Sequence, residues 1–349
     1  MRQSFSRRQL FQDTTALAAA SVAAVTWRRP LLAQDRTTRA RGQTSSRSSR
    51  GRGSSDDDYE SRVSFVDEQT QRWRVGLKLQ ARSSLQNVLA TFPIPVDWPE
   101  QSVRLVNKSL SSAVTGWKTR VAPGGTTQVV LVMPRVAAST QADALFEFDV
   151  KKSRIVGPTE VDDLVIPKKV SRELSQYLGT SPEIDTTHRF IRDAYKEVAA
   201  EQHDNAWELV RSLYIYVREK VRYVNGSIAK ASQALRSGQG DCEEMTSLVI
   251  ALCRNAKIPA RMVWIPNHCY PEFYLEDARG NGHWFPCQAA GSEQFGSMEE
   301  YKPILQKGDR FKVPEKKGKQ QRYLTEFFTC EVKGKQDPRP EFILDRVEV

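Results

Sequence analysis

The stretch Gly238-Gln239-Gly240-Asp241-Cys242-Glu243-Glu244-Met245 decides the reading of this chain. Asp241 and Glu244 form an Asp-x-x-Glu capping box, which fixes a helix start and sets Cys242 in the first turn. The stripe that follows, Met245, Leu248, Val249, Leu252, Cys253 and Ala256, recurs at three and four residues, as an amphipathic helix requires. Cys242 lies three residues before Met245, in phase with the buried side, and so faces the rest of its domain. Amides and dipole at a helix N-terminus stabilise a thiolate, while Glu243 and Glu244 oppose it. Cys253, in mid-helix on the apolar stripe, reads as structural.

A thiol nucleophile needs a base, and the chain has four histidines: His188, His203, His268 and His283. Ala260 to Ile265 reads as a strand, Pro266-Asn267 as a turn, and His268 to Leu275 as a second strand. A turn through Asp277 to Gly282 leads into Trp284-Phe285-Pro286-Cys287-Gln288. His268 opens a strand beside the helix of Cys242, the layout of a Cys–His pair. His188 and His203 fall on polar helix faces or ends, and His283 in a turn.

In combination these residues resemble the transglutaminase-like superfamily of papain-like cysteine enzymes. The likeness runs from about Trp207 to Gln288. It rests on Gly240-Asp241-Cys242, on Ala256-Lys257-Ile258-Pro259-Ala260-Arg261, on His268-x-x-x-Glu272, on Trp284 four residues before Gln288, and on Tyr223 upstream. The resemblance implies an α+β core with helices packed on an antiparallel sheet, Cys242 as nucleophile, His268 as base, and a third residue orienting the imidazole. That third position, usually Asp, is Gln288, whose amide can accept the imidazole N–H but supplies no charge. Glu272, on the same strand face as His268, stands about 7 Å along the strand and is not expected to touch it. Cys269-Tyr270-Pro271 replaces the usual Ala-Trp-Val, and the loop at Pro266-Asn267 is short.

The implied chemistry is attack of the Cys242 thiolate on an amide or ester carbonyl of a protein or peptide, giving a thioester acyl-enzyme. The Cys242 backbone N–H and a second donor, Tyr223 or Gln239, are the oxyanion candidates. Water as acceptor makes a peptidase or amidase; an amine makes a protein-glutamine acyltransferase. The residues serve both, and the resemblance to bacterial relatives favours hydrolysis. The competing reading is a catalytically weak or inert binding module of the cell envelope on the same fold. A metal site of His268, Cys269, His283 and Cys287 lacks Cys-x-x-Cys, and neighbours on a strand face opposite sides. Neither a metal nor a cofactor is expected.

Upstream, residues 59–170 alternate with period two in Arg72 to Leu79, Val103 to Val106, Gln128 to Val132 and Ala144 to Val150. Breakers such as Pro93-Ile94-Pro95 and Pro123-Gly124-Gly125 lie between them. This predicts an antiparallel β-sandwich-like domain that supports the core or positions its substrate. Residues 176–349 form the expected catalytic domain. Ile184 to Ala200 reads as a helix, and a second is capped by Asp204 with the stripe Trp207, Val210, Leu213, Tyr214, Val217 and Val221. Tyr323 to Thr329 and Phe342 to Leu344 are expected to be strands completing the core sheet.

The first 33 residues resemble a twin-arginine export signal. Ser6-Arg7-Arg8-Gln9-Leu10-Phe11 precedes a mild apolar stretch, and Leu31-Leu32-Ala33 offers a cleavage site. The expected destination is the periplasm or beyond, with envelope proteins as candidate substrates. Residues 34–58, rich in Arg, Ser and Gly, read as a disordered linker. The formal charge of +10 is concentrated here, since residues 1–55 hold eleven Arg and two Asp. The remainder, 41 basic against 40 acidic residues, is balanced, which argues against nucleic-acid binding. No stretch approaches ~20 uninterrupted apolar residues, so no membrane span is expected. Five cysteines at irregular spacing do not form a disulfide framework, and nothing in the pattern fixes an oligomeric state.

Overall fold

The structure is a computed structural model that describes residues 61–226 and 229–348. The export signal and linker read at residues 1–58 lie outside the described residues. The first strands are β1 (Ser64–Ala81), β2 (Ser84–Ile94), β3 (Gln101–Leu110), β4 (Gly116–Val121), β5 (Thr127–Val136) and β6 (Thr140–Val156). They divide between two antiparallel sheets, with β1-β6-β3 in one and β2-β5-β4 in the other. Period-two alternation aims one side of each strand inward. Val75, Leu77 and Leu79 of β1 and Phe146 and Phe148 of β6 meet Val88, Phe92, Leu131 and Met133 of the second sheet in one core. On the outer face of the first sheet, Arg72 pairs with Asp149 and Arg74 with Glu147, each at 2.7 Å and directly opposite in register.

The core follows in the order α1 (Arg172–Ser175), α2 (Arg189–Ala199), α3 (Ala206–Lys220), β7 (Arg222–Tyr223), α4 (Ala231–Ser237), β8 (Gln239–Gly240) and α5 (Cys242–Asn255). Then come β9 (Ala260–Ile265), β10 (His268–Glu276), β11 (Gly282–Pro286), β12 (Gln306–Lys307), β13 (Phe327–Lys333) and β14 (Arg339–Val347). A third antiparallel sheet has the order β11-β10-β9-β12, and α5 packs on it through Met245, Leu248, Val249 and Leu252 against Met262, Cys269, Phe273 and Leu275. The fold is therefore α+β: a β-sandwich joined to helices on an antiparallel sheet.

Several local expectations shift. Helix α5 is buried on all sides, Thr246, Ser247, Ile250 and Ala251 included, because α2, α3 and α4 pack against it as well as the sheet. Helix α2 starts at Arg189, not Ile184: Ile184 exchanges backbone bonds with Ser181, and Asp185 takes the Ser232 N–H and hydroxyl. Helix α3 is capped by Asn205 rather than Asp204, with its Oδ1 accepting from Glu208 N at 2.9 Å. The two C-terminal strands do not complete the core sheet. β13 pairs with β2 and β14 with β1, extending both sheets of the sandwich.

Sandwich and core meet along a buried polar seam. Gln101 exchanges two hydrogen bonds with the Ile304 backbone, at 3.0 and 2.7 Å. Lys307 lies between Glu100 at 2.6 Å and Glu272 at 2.7 Å, and Glu272 also holds Arg261 at 2.7 Å. Buried charges persist only when paired in this way.

Candidate active site

The loop into α5 is built from its glycines. Gly238 ends α4 in the left-handed region, φ 65°, where a side chain is strained. At Gly240 a Cβ would stand 2.8 Å from the Glu244 Cβ, so only glycine lets the cap close. The capping box is present: Glu244 accepts from Asp241 N at 2.8 Å and Asp241 from Glu243 N at 2.9 Å. The two glutamates oppose a Cys242 thiolate less than their formal charges imply. Burial pushes the Glu244 carboxyl up to about 7, and Glu243 is ion-paired with Arg322, whose guanidinium stacks on Trp264 at 5.5 Å.

Opposite the start of α5, a turn with Asn267 at φ 61° delivers His268 at the first position of β10. Gln288 follows β11. Its N–H donates to Gln294 O at 2.8 Å, and its carbonyl accepts from Arg218 of α3 at 3.0 Å. Arg218 also holds the carbonyls of Ala289 and Gly291, so a guanidinium fork fixes the Gln288 backbone. The Gln288 side chain then meets His268, with Oε1 2.7 Å from Nε2.

Cys242 is half-buried; Cys269 Sγ donates to its backbone oxygen at 3.6 Å, and Cys269 and His268 both act on its thiol. The Cys269 thiol lowers its pKa most; burial opposes, the His268 hydrogen bond and charge add to the lowering, and the value falls to about 5. For His268, burial acts to lower the pKa, but the hydrogen bond and charge of Cys242 and the bond to Gln288 outweigh it, and it stands above 6.5. Sulfur therefore ionises before imidazolium loses its proton, and a thiolate–imidazolium pair dominates between the two.

The remaining candidates divide. β7 and β8 pair in parallel, Tyr223 opposite Gly240, with Val224 N donating to Gly240 O at 2.9 Å. Tyr223 and Gln239 thus flank the Cys242 loop, Tyr223 about half exposed with its hydroxyl 3.1 Å from Asn225 Oδ1. Glu272 is committed to Arg261 and Lys307 and does not serve His268. His283 lies 3.5 Å from Asp277, and His188 caps α2, its Nδ1 accepting from Phe190 N. Cys253 and Cys287 are buried, and burial raises both pKa values, Cys253 to about 12. Among the described residues no three His, Cys, Asp or Glu side chains converge as metal ligands. His268 and Cys269, expected to diverge on opposite strand faces, both reach Cys242, because the first turn of α5 meets β10 at its end. Arg218, Arg322 and the role of Cys269 carried no sequence signal, since each depends on residues distant along the chain.

Cys242, His268 and Gln288 thus come together where a buried helix meets an antiparallel sheet. Residues 192–289, which contain Cys242, His268 and Gln288, match the transglutaminase-like superfamily model and form a transglutaminase-like domain. The fold is shared with a structure described as a candidate cysteine protease from Cytophaga hutchinsonii. It has a TM-score of 0.51 and 15% identity, covering 82% of this chain and 93% of that one. A candidate protease from Parabacteroides distasonis matches 66% of this chain and 44% of its own at 12% identity, with a TM-score of 0.27, too low to bear on the fold. No curated protein matches the chain in sequence.

Proposed function

We propose that this chain is a cysteine hydrolase that cleaves amide bonds of a protein or peptide through a thioester acyl-enzyme. The observation that carries the reading is the array in which Gln288 holds His268 at 2.7 Å and His268, with Cys269, lowers the Cys242 pKa. The Cys242 thiolate attacks the carbonyl carbon, and the electron pair of the C=O bond moves to oxygen. The Cys242 N–H, one of the helix N–H groups without an intrahelical acceptor, receives that oxyanion, with Tyr223 or Gln239 as second donor. Collapse breaks the C–N bond as imidazolium gives its proton to the leaving amine. Water then attacks the thioester while His268 takes its proton, and the acid leaves with the thiolate restored. Gln288 fixes the imidazole tautomer throughout.

Hydrolysis is preferred to transfer onto an amine, in keeping with the candidate-protease description of the C. hutchinsonii structure. The signal read at residues 1–33 assigns the reaction to the periplasm or beyond, with envelope proteins or peptides as substrates. The test is to incubate wild type and Cys242→Ala with envelope protein fractions and amide-terminated peptides, then search for a hydroxylamine-labile adduct by intact mass. An adduct on wild type alone supports the reading. Equal signals, or none from a folded wild type, would reduce the domain to a binding module.

A further inference from the structure

Residue 269 is tied to the first turn of α5 at two points. Thr246 Oγ1 donates to Cys269 O at 3.4 Å, and Cys269 Sγ donates to Cys242 O at 3.6 Å. Cys242 and Thr246 are about one helical turn apart, so the Cys269 side chain is held beneath the residue whose sulfur meets His268. It is 1% exposed. Burial first, and then the neighbouring Cys242, keep this thiol protonated far above the usual range, so it is a lasting S–H donor. Rotation about Cβ–Sγ offers its hydrogen to two acceptors on the same residue, the neutral carbonyl oxygen and the sulfur. Once the sulfur is an anion it is the stronger acceptor, because charge-assisted hydrogen bonds exceed neutral ones. Such a donor has a purpose here. Gln288 supplies no charge to the imidazolium, so support for the ion pair has to come from the sulfur side.

We propose that Cys269 is a positioning residue for Cys242, its buried S–H donating to the Cys242 sulfur and holding it as the nucleophilic anion. The proposal rests on the reading of Cys242 as nucleophile, but the ionisation of that sulfur is measurable without any substrate.

The experiment follows alkylation of Cys242 by iodoacetamide against pH, read by peptide mass spectrometry, in wild type, Cys269→Ala and Cys269→Ser. Circular dichroism establishes that each is folded. Cys269→Ala should move the midpoint up by roughly one pH unit, seen as about fivefold slower labelling at pH 5. Cys269→Ser, whose hydroxyl donates in place of the thiol, should recover most of that rate. Superimposable wild-type and Cys269→Ala profiles would overturn the proposal. So would a Cys269→Ser profile displaced as far as that of Cys269→Ala, since packing alone would then explain the effect. A low midpoint that depends on residue 269, together with no thioester on any peptide, would refute the enzymatic reading and leave this role standing.

Discussion

Gln288 Oε1 lies 2.7 Å from His268 Nε2. A carboxamide oxygen can only accept, so Nε2 carries the hydrogen and Nδ1 is the nitrogen left for the Cys242 sulfur. The amide thus does the orienting work of a carboxylate without its charge, and the two functions separate experimentally.

Gln288→Ala should lower the acyl-transfer rate roughly 10- to 100-fold, because the imidazole loses its fixed tautomer. Gln288→Asp should retain the orientation and add a charge. The informative quantity is the alkaline limb of the pH–rate profile, which Gln288→Asp should move upward as the imidazolium is stabilised. Identical limbs in wild type and Gln288→Asp would contradict this role.

The pH dependence of the wild type follows from the same pair. Cys242 is lowered to about 5 and His268 is raised above 6.5, so the productive ion pair appears as pH rises through about 5. It is lost as pH rises further through the His268 value. A bell-shaped kcat/KM with its acid limb near pH 5 is expected. A single limb rising near pH 8.5, where an unperturbed thiol ionises, would count against it.

Thiol selectivity gives an independent check. Cys253, Cys269 and Cys287 are buried, with pKa values pushed up mainly by burial, and burial likewise raises Cys330. Brief iodoacetamide treatment at pH 6 should modify Cys242 before any of them, as peptide mapping would show. Comparable labelling at Cys330 would mean that Cys242 has no special reactivity.

The seam between sandwich and core predicts a stability effect. Lys307→Met leaves Glu100 and Glu272 facing each other while buried, which should cost about 3–5 kcal/mol in denaturant unfolding. Burial acts to raise the Glu272 pKa, but Lys307 and Arg261 outweigh it, so the folded value lies below 4.5. Its stabilisation is present above pH ~4.5 and lost as pH falls through the folded value. Lys307→Met should therefore show a shallower loss of stability in acid than wild type.

Much of the fold was legible because the signals were local. Period-two runs marked the sandwich strands, and Asp241 with Glu244 marked the start of α5 to the residue. The stripe of α5 understated its burial, since Thr246, Ser247 and Ala251 are small enough to pass for an exposed face yet lie under three helices. β13, expected from Tyr323 but beginning at Phe327, and β14 read as strands but were given to the wrong sheet. Alternation identifies a strand without naming its partner, and theirs lie more than 200 residues upstream. The site divides in the same way. Cys242, His268 and Gln288 stood out through motif spacing, whereas Arg218, Arg322 and Cys269 owe their positions to tertiary packing.

The most direct test of the Cys242–His268 pair is a thiolate titration followed by absorbance near 240 nm, in wild type and His268→Ala, with Cys242→Ala as baseline. The wild type should gain one thiolate with a midpoint near pH 5, absent from Cys242→Ala and displaced upward by at least one pH unit in His268→Ala. A wild-type midpoint near 8.5, or one that His268→Ala leaves unmoved, would contradict it.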